Sequence, residues 1–308
     1  MRRSRAFFLF FAGQIARLPR DGPAAYLSGA HPRDSPIQRR PGRPSHPRDG
    51  DPGLPSERGP FLSARSEPLF NVPRVVTAML ALLIVVHLAR EFLLSEDQNI
   101  EFLLLFAFIP VRYDPTVLAM GPLPGGFPAQ IWTFVTYALI HGDFLHLGIN
   151  GVWLLAFGSP IARRFGTLRF LAFSAVTAAA GAAAHLAAHL GDLQPMVGAS
   201  AAISGYMAAS MRFVFQRGGP LHLLRESDAD AYRVPALSLS AALRERRILV
   251  FLAAWFGLNA LFAFTSAPIV GAGQVVAWQA HIGGFLAGLL AFAAFDPVPA
   301  NREIANSE

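Results

Sequence analysis

A serine and a histidine lie in apolar parts of this chain, where an ionisable or reactive side chain is costly. Ser200 lies in the sequence VGASAAISG (197–205), and no charged residue follows it until Arg212. His281 lies in AHIGGFLAG (280–288), which is also uncharged. Ionisable side chains at membrane depth are rare and are usually functional. Because a serine activated by a histidine base is one way to perform acyl transfer, these two residues are the candidate nucleophile and base.

A third polar group lies in the sequence HGDFLHLGIN (141–150). His146 and Asn150 are four residues apart, so on a helix they share one face. Both side chains can donate hydrogen bonds, as the developing oxyanion of an acyl-transfer reaction requires. The backbone N–H of Ser200 is a further candidate donor if that residue begins a helix, because the first N–H groups of a helix have no partner within it.

Small residues explain how the helices that carry these groups could touch. Gly284 and Gly288 lie three and seven residues after the histidine, on its face of a helix. Ala201, Gly205 and Ala208 give the serine segment a similar stripe. Such faces allow backbones to approach closely in membranes. We therefore expect these two segments to be in contact.

The composition of the chain is that of a membrane protein. Of its 308 residues, 53% are hydrophobic and 15% are charged, against roughly 25% charged in an average globular chain. The net charge of +6 does not indicate a nucleic-acid partner, because all 26 basic residues are arginines and those beyond the N-terminal region lie beside apolar stretches. The absence of cysteine excludes disulfides, thiolate catalysis and cysteine-ligated metals.

Six apolar stretches follow one another at about 75–94, 144–161, 168–190, 197–215, 248–264 and 275–295. Each approaches the roughly 20 residues that cross a bilayer. Helices are expected, since lipid-exposed backbone must satisfy its own hydrogen bonds. The sequence therefore predicts an all-α polytopic membrane protein with six transmembrane helices.

The arginines indicate the orientation of these spans. They concentrate in the loop between spans two and three and in the loop between spans four and five, as Arg163, Arg164, Arg169, Arg212, Arg217, Arg225, Arg233, Arg244, Arg246 and Arg247. Basic loops stay in the cytoplasm, so both termini are predicted to be cytoplasmic. Spans two, four and six then begin on the external side, which places the candidate polar residues at one depth.

Three regions are predicted along the chain. Residues 1–70 are rich in Pro, Arg, Asp, Ser and Gly and read as a disordered basic cytoplasmic arm. Residues 71–298 form the six-helix domain, and 299–308 a short cytoplasmic tail. The first external loop, at about 95–140, is long, and its apolar piece at 100–113 suits an interfacial or re-entrant segment better than a span.

The combination of these motifs resembles the rhomboid family of intramembrane serine proteases. The resemblance covers roughly residues 72–296 and is carried by His141, His146, Asn150, Gly198, Ser200, His281, Gly284 and Gly288. It implies a rhomboid-like bundle in which Ser200 attacks the scissile carbonyl and His281 accepts its proton, then passes it to the leaving amine. It further implies an oxyanion hole formed by His146, Asn150 and the Ser200 amide, with His141 in a supporting role. No cofactor or metal is implied.

Three positions depart from the family pattern. The usual glycine after the serine is Ala201, which adds a methyl group beside the predicted oxyanion hole. The tyrosine that some members carry four residues after the serine is Ser204. The Trp-Arg pair found in the first loop of some members is absent, which leaves the anchoring of this loop unexplained.

Other functions remain open from the sequence. A non-catalytic rhomboid-like protein that binds or escorts membrane partners is the main alternative, and a transporter using its histidines is another. His185 and His189 have the i, i+4 spacing of a metal site, although a structural role is favoured. Asp114 and Asp192 faintly resemble the aspartates of intramembrane aspartyl proteases, but both lie in predicted loops.

The expected partners are transmembrane protein substrates and the lipid bilayer, without nucleic acid. The expected location is a bacterial inner membrane, and the sequence does not indicate an oligomeric state.

Overall fold

The structure is a computed structural model that describes residues 72–119, 123–221, 230–265 and 276–299, with the side chains of 262–265 left out. The predicted arm at 1–70 lies outside the described residues. So does the predicted tail at 299–308, apart from its first residue.

Eight helices longer than two turns account for most of the described residues. They are α1 (Arg74–Phe92), α2 (Glu96–Phe106), α3 (Gly126–Thr136), α4 (Phe144–Phe165), α5 (Thr167–His189), α6 (Ser200–Ser210), α7 (Arg246–Thr265) and α8 (Trp278–Phe295). Short helical turns lie at Pro110–Tyr113, Pro115–Leu118, Tyr137–Leu139 and Leu239–Ala242. Helix α4 contains one wider turn at Leu154–Gly158, where the helix is locally of the π type.

Four helices are long and apolar enough to cross a membrane within the described residues, namely α1, α4, α5 and α8. They confirm the predicted helical membrane fold. Helix α6 is shorter than the predicted span at 197–215, and it begins only at Ser200 because Gly198 has a backbone φ of +121° that no α-helix accommodates. Its eleven residues cover about 16 Å, and beyond Ser210 hydrogen-bonded turns continue past Val214 to Gln216. The count of six spans stays a prediction.

Helices α5, α6 and α8 pack against one another at the centre of the fold, and glycines make this packing close. A Cβ atom added to Gly284 would overlap the carbonyl oxygen of Ala201, and one added to Gly288 would overlap that of Gly205. On α5, a Cβ at Gly181 would lie 2.5 Å from the Ala201 Cβ. The predicted contact between the serine and histidine segments is therefore present at backbone distance.

The connection between α1 and α4 is anchored by hydrogen bonds from polar side chains, among them that of the buried Arg112. The guanidinium of Arg112, which is 1% exposed, donates to the carbonyl oxygens of Leu104 and Pro124. Helix α3 is tied to α2 by Trp132, whose indole N–H donates to the Leu105 carbonyl at 2.7 Å. Arg112 thus provides the anchoring of this loop that the missing Trp-Arg pair left unexplained.

The same connection holds the segment that leads into α6. Phe108 and Met196 exchange two backbone hydrogen bonds, of 3.1 and 2.8 Å, in a single antiparallel bridge. Nearer the serine, the Gly198 N–H donates to the Tyr137 carbonyl at 3.1 Å. The long connection between α1 and α4 therefore fixes the chain just before Ser200.

Candidate active site

Ser200 is the first residue of α6, and its position follows from the two residues before it. Gly198 has the positive φ, and Ala199 begins the helical turn as the N-cap residue. No side chain of the described residues caps this helix. Its first backbone N–H groups therefore lack an intrahelical partner and present partial positive charge beside the Ser200 hydroxyl.

Ser200 and His281 are in hydrogen-bond contact. The Ser200 Oγ lies 2.9 Å from the His281 Nε2, although 81 residues separate them along the chain. His281 lies in the first turn of α8, which begins at Trp278. The close contacts of Gly284 and Gly288 with α6 hold the two helices at this separation. A base within hydrogen-bond reach of a serine is the arrangement needed to move the hydroxyl proton onto the imidazole.

The other ring nitrogen of His281 contacts a residue that the sequence reasoning missed. Asn259, on α7, places its Oδ1 2.8 Å from the His281 Nδ1. The amide nitrogen of Asn259 donates to the Trp255 carbonyl at 2.9 Å. Asn259 lies in the apolar stretch at about 248–264, and a polar side chain in such a predicted span is itself a signal of function that could have identified it.

His146 lies beside the serine at the start of α4. The Asp143 carboxylate caps this helix by accepting from the His146 backbone N–H at 2.8 Å. A Cβ atom added to Gly198 would lie 2.7 Å from the His146 Nε2 and 3.8 Å from the Ser200 Oγ. The imidazole of His146 therefore packs on Gly198 and lies close to the Ser200 hydroxyl.

Asn150 is turned toward its own helix. Its side chain is 3% exposed, and its Nδ2 donates to the His146 carbonyl at 2.9 Å. This bond uses one of the two amide hydrogens. The structure gives Asn150 no hydrogen bond to Ser200 or His281 within the described residues.

His141 lies behind His146 and is fully buried. The two imidazole centroids are 5.1 Å apart, edge to face. Neither ring nitrogen of His141 has a hydrogen-bond partner among the described residues, whereas its carbonyl accepts from the Arg90 guanidinium at 2.9 Å.

The two departures near the serine have simple structural consequences. The Ala201 methyl faces Gly181 of α5, where the missing side chain leaves room for it. Ser204 donates its hydroxyl to the Ser200 carbonyl at 2.8 Å and does not reach the imidazole of His281 by a hydrogen bond. The added methyl group is thus accommodated by the neighbouring helix.

The other histidines and aspartates considered from the sequence, His185, His189, Asp114 and Asp192, form local structural contacts. His189 Nδ1 lies 2.8 Å from an Asp192 carboxylate oxygen, and the His185 and His189 rings stack at 4.4 Å. Within the described residues, these side chains are not part of a group of three or more that could hold a metal ion. Asp114 caps a short helical turn, where the Thr116 hydroxyl and amide hydrogen bonds lower the pKa of its carboxyl.

Comparison with known proteins identifies the family of this chain. The Rhomboid domain family matches residues 128–296. Over 172 residues the chain is 27% identical to the rhomboid protease GlpG of Pectobacterium atrosepticum. The aligned region covers 53% of this chain and 50% of that relative. The chain therefore spans about half of the length of the relative. Because the family match extends over more than half of the chain and includes both Ser200 and His281, this helical integral membrane protein belongs to the rhomboid family.

Proposed function

We propose that this protein is an intramembrane serine endopeptidase that uses Ser200 and His281 as its catalytic pair. The observation that carries the proposal is the 2.9 Å separation between the Ser200 Oγ and the His281 Nε2. Ser200 attacks the scissile carbonyl while His281 takes the hydroxyl proton. His281 then protonates the leaving amine, and a water molecule releases the acyl group by the same steps.

The developing oxyanion is proposed to be stabilised by three donors, the Ser200 amide, His146 and Asn150. The uncapped N-terminus of α6 supports the first, and the closeness of the His146 ring to Gly198 supports the second. Asn150 retains one amide hydrogen beyond the one bonded to the His146 carbonyl. His141 supports the His146 ring, while Gly198, Gly284 and Gly288 provide the required backbone approach.

The proposed substrates are transmembrane proteins cut near the external face of the membrane. This position follows from the six predicted apolar spans together with the distribution of arginines, which favours both termini in the cytoplasm. The proposed protease domain is residues 71–298, flanked by a cytoplasmic arm at 1–70 and a short tail at 299–308. The bacterial source of the related protease supports a location in a bacterial inner membrane.

A fluorophosphonate probe tests the proposal on the detergent-solubilised protein, since this reagent reacts with activated serines. The wild-type protein should be labelled, and Ser200→Ala and His281→Ala should not. Ser210→Ala is the matched control, because it removes a hydroxyl from the far end of the same helix, and this hydroxyl donates to the Met207 carbonyl as its one partner among the described residues. We expect this control to be labelled like the wild type.

Cleavage of a reconstituted transmembrane reporter should follow the same order among these variants. Labelling that persists in Ser200→Ala would contradict the assigned nucleophile. A wild-type protein that is neither labelled nor active would favour the non-catalytic alternative, a protein that binds or escorts membrane partners.

A further inference from the structure

We propose that Asn259 is a positioning residue that fixes the tautomer and the orientation of the His281 imidazole. This inference rests on the proposed function, in which His281 is the general base. Asn259 does not touch the serine, so its effect on the reaction would pass entirely through the histidine.

The hydrogen bonds of Asn259 determine which way its amide points. The Nδ2 group donates to the Trp255 carbonyl at 2.9 Å, so the Oδ1 is the atom that faces the His281 Nδ1 at 2.8 Å. The reverse orientation would set two acceptor oxygens, Oδ1 and the Trp255 carbonyl, against each other. An amide oxygen only accepts, and Nδ1 of His281 must therefore carry the hydrogen.

This tautomer is the one that the reaction needs. With the hydrogen on Nδ1, the Nε2 of His281 has a free lone pair directed at the Ser200 Oγ, 2.9 Å away. The opposite tautomer would place a hydrogen on Nε2 and could not accept the serine proton. A partner on the far nitrogen of a catalytic histidine is a known means of fixing the productive tautomer.

Packing holds Asn259 in place. The residue is 6% exposed, and the Trp255 ring one turn earlier on α7 stacks on Phe285 of α8 with centroids 4.4 Å apart. Because α7 is docked on the histidine helix by this aromatic pair, the amide is presented to the imidazole from a fixed direction. A buried amide in apolar surroundings is costly unless both of its polar atoms are bonded, as they are here.

Asn259 also supplies the contact to the histidine that α6 does not provide. The family tyrosine that packs on the histidine is replaced by Ser204, whose hydroxyl bonds the Ser200 carbonyl. Among the described residues, Ser200 and Asn259 are the side chains that hydrogen-bond the His281 ring. In this chain the orientation of the base therefore comes from α7.

The test compares three substitutions by two measurements. Asn259→Leu removes the acceptor at similar volume, Asn259→Asp keeps an oxygen there, and Leu258→Ala is the control on the neighbouring residue, which is 45% exposed. The measurements are the ¹⁵N chemical shifts of histidine-labelled protein, with His281 assigned by its loss in His281→Gln, and kcat and KM for a transmembrane reporter.

We expect Asn259→Leu to lose the single Nδ1–H tautomer and to lower kcat about 10- to 100-fold with KM unchanged, as for other residues that orient a functional histidine. Asn259→Asp should retain the tautomer and most of the activity, and Leu258→Ala should match the wild type. If the leucine variant does not fold, Asn259→Ala removes the acceptor without added bulk and is judged in the same way.

Two results would overturn the proposal. The first is that Asn259→Leu, or Asn259→Ala in its place, still shows His281 as the single Nδ1–H tautomer. The second is that the same variant keeps the kcat of the wild type. The tautomer of His281 is measured by NMR without any substrate cleavage, so this test is separate from the test of the proposed function. The proposed function itself fails if the wild-type protein is neither labelled nor active.

Discussion

At the scale of single residues, the position of Ser200 depends on Gly198. Its φ of +121° lies in a region that residues with a side chain rarely adopt. An added Cβ would also meet the His146 ring, 2.7 Å from Nε2. Glycine is therefore required twice at this position, once for the backbone turn into α6 and once for the approach of the imidazole to the serine.

Replacing Gly198 should impair catalysis more than folding. In Gly198→Ala the backbone strain costs about 1–3 kcal/mol, and the methyl group displaces His146 from the proposed oxyanion hole. We expect fluorophosphonate labelling to slow about 100-fold, the typical effect of losing one oxyanion donor. Gly148→Ala is the control, because a Cβ added there meets no atom within 4 Å. Equal labelling rates for the two variants would refute this role of Gly198.

At the scale of helices, the contact between α6 and α8 sets the distance between nucleophile and base. Gly284 packs on the Ala201 carbonyl and Gly288 on the Gly205 carbonyl, so the two backbones touch without intervening side chains. Backbone atoms cannot move aside as a flexible side chain can. Any added side chain on this face must therefore push the helices apart.

We expect Gly284→Ala and Gly288→Ala to lower both stability and activity. Overpacking of this kind typically costs about 1–3 kcal/mol, and the shift of α8 would carry His281 away from Ser200. Thermal unfolding in detergent and the labelling rate measure the two effects. Gly257→Ala on α7 is the control, since its Cβ would enter open space. Normal labelling of Gly284→Ala would show that the contact does not set the catalytic distance.

At the scale of the whole molecule, a buried ion pair connects the ends of helices α4 and α8 that lie away from the active site. Arg164, in the last turn of α4, forms two hydrogen bonds of 2.8 Å with the Asp296 carboxylate that follows α8, and its side chain is fully buried. Its guanidinium also donates to the Tyr232 and Val234 carbonyls and lies over the Phe213 ring at 4.5 Å. This arginine, assigned to a loop from the sequence, is instead a junction between α4, α8 and the segment between α6 and α7.

Removing the carboxylate should destabilise the fold while leaving the site intact. Asp296→Ala leaves the Arg164 charge buried and unpaired, which typically costs about 3–5 kcal/mol. We expect a clear fall in the thermal unfolding temperature, with near-normal labelling of the protein that remains folded. Arg169→Ala is the control, because it removes an exposed arginine that forms no buried ion pair among the described residues. An unchanged unfolding temperature for Asp296→Ala would contradict the importance of the pair.

Much of this protein follows from local sequence. Apolar runs of about 20 residues predict membrane helices because lipid cannot satisfy free backbone groups. The serine, the histidines and Asn150 were found because polar residues are rare in such runs. The glycine spacing on α8 also predicts a close helix contact, since residues three and four apart share a helix face. All of these features depend on residues that are near one another in the chain.

The tertiary structure decides the features that join distant residues. Only packing places Asn259 on the far side of His281, 22 residues away, and only packing directs the Ala201 methyl toward Gly181. Arg112 anchors the connection between α1 and α4 through backbone carbonyl groups, and the pattern of side chains in the sequence does not show where those carbonyl groups lie. The sequence by itself determined a helical membrane protein with a serine, a histidine and donor groups. The structure decided which atoms meet, because hydrogen bonds between helices depend on how backbones pack.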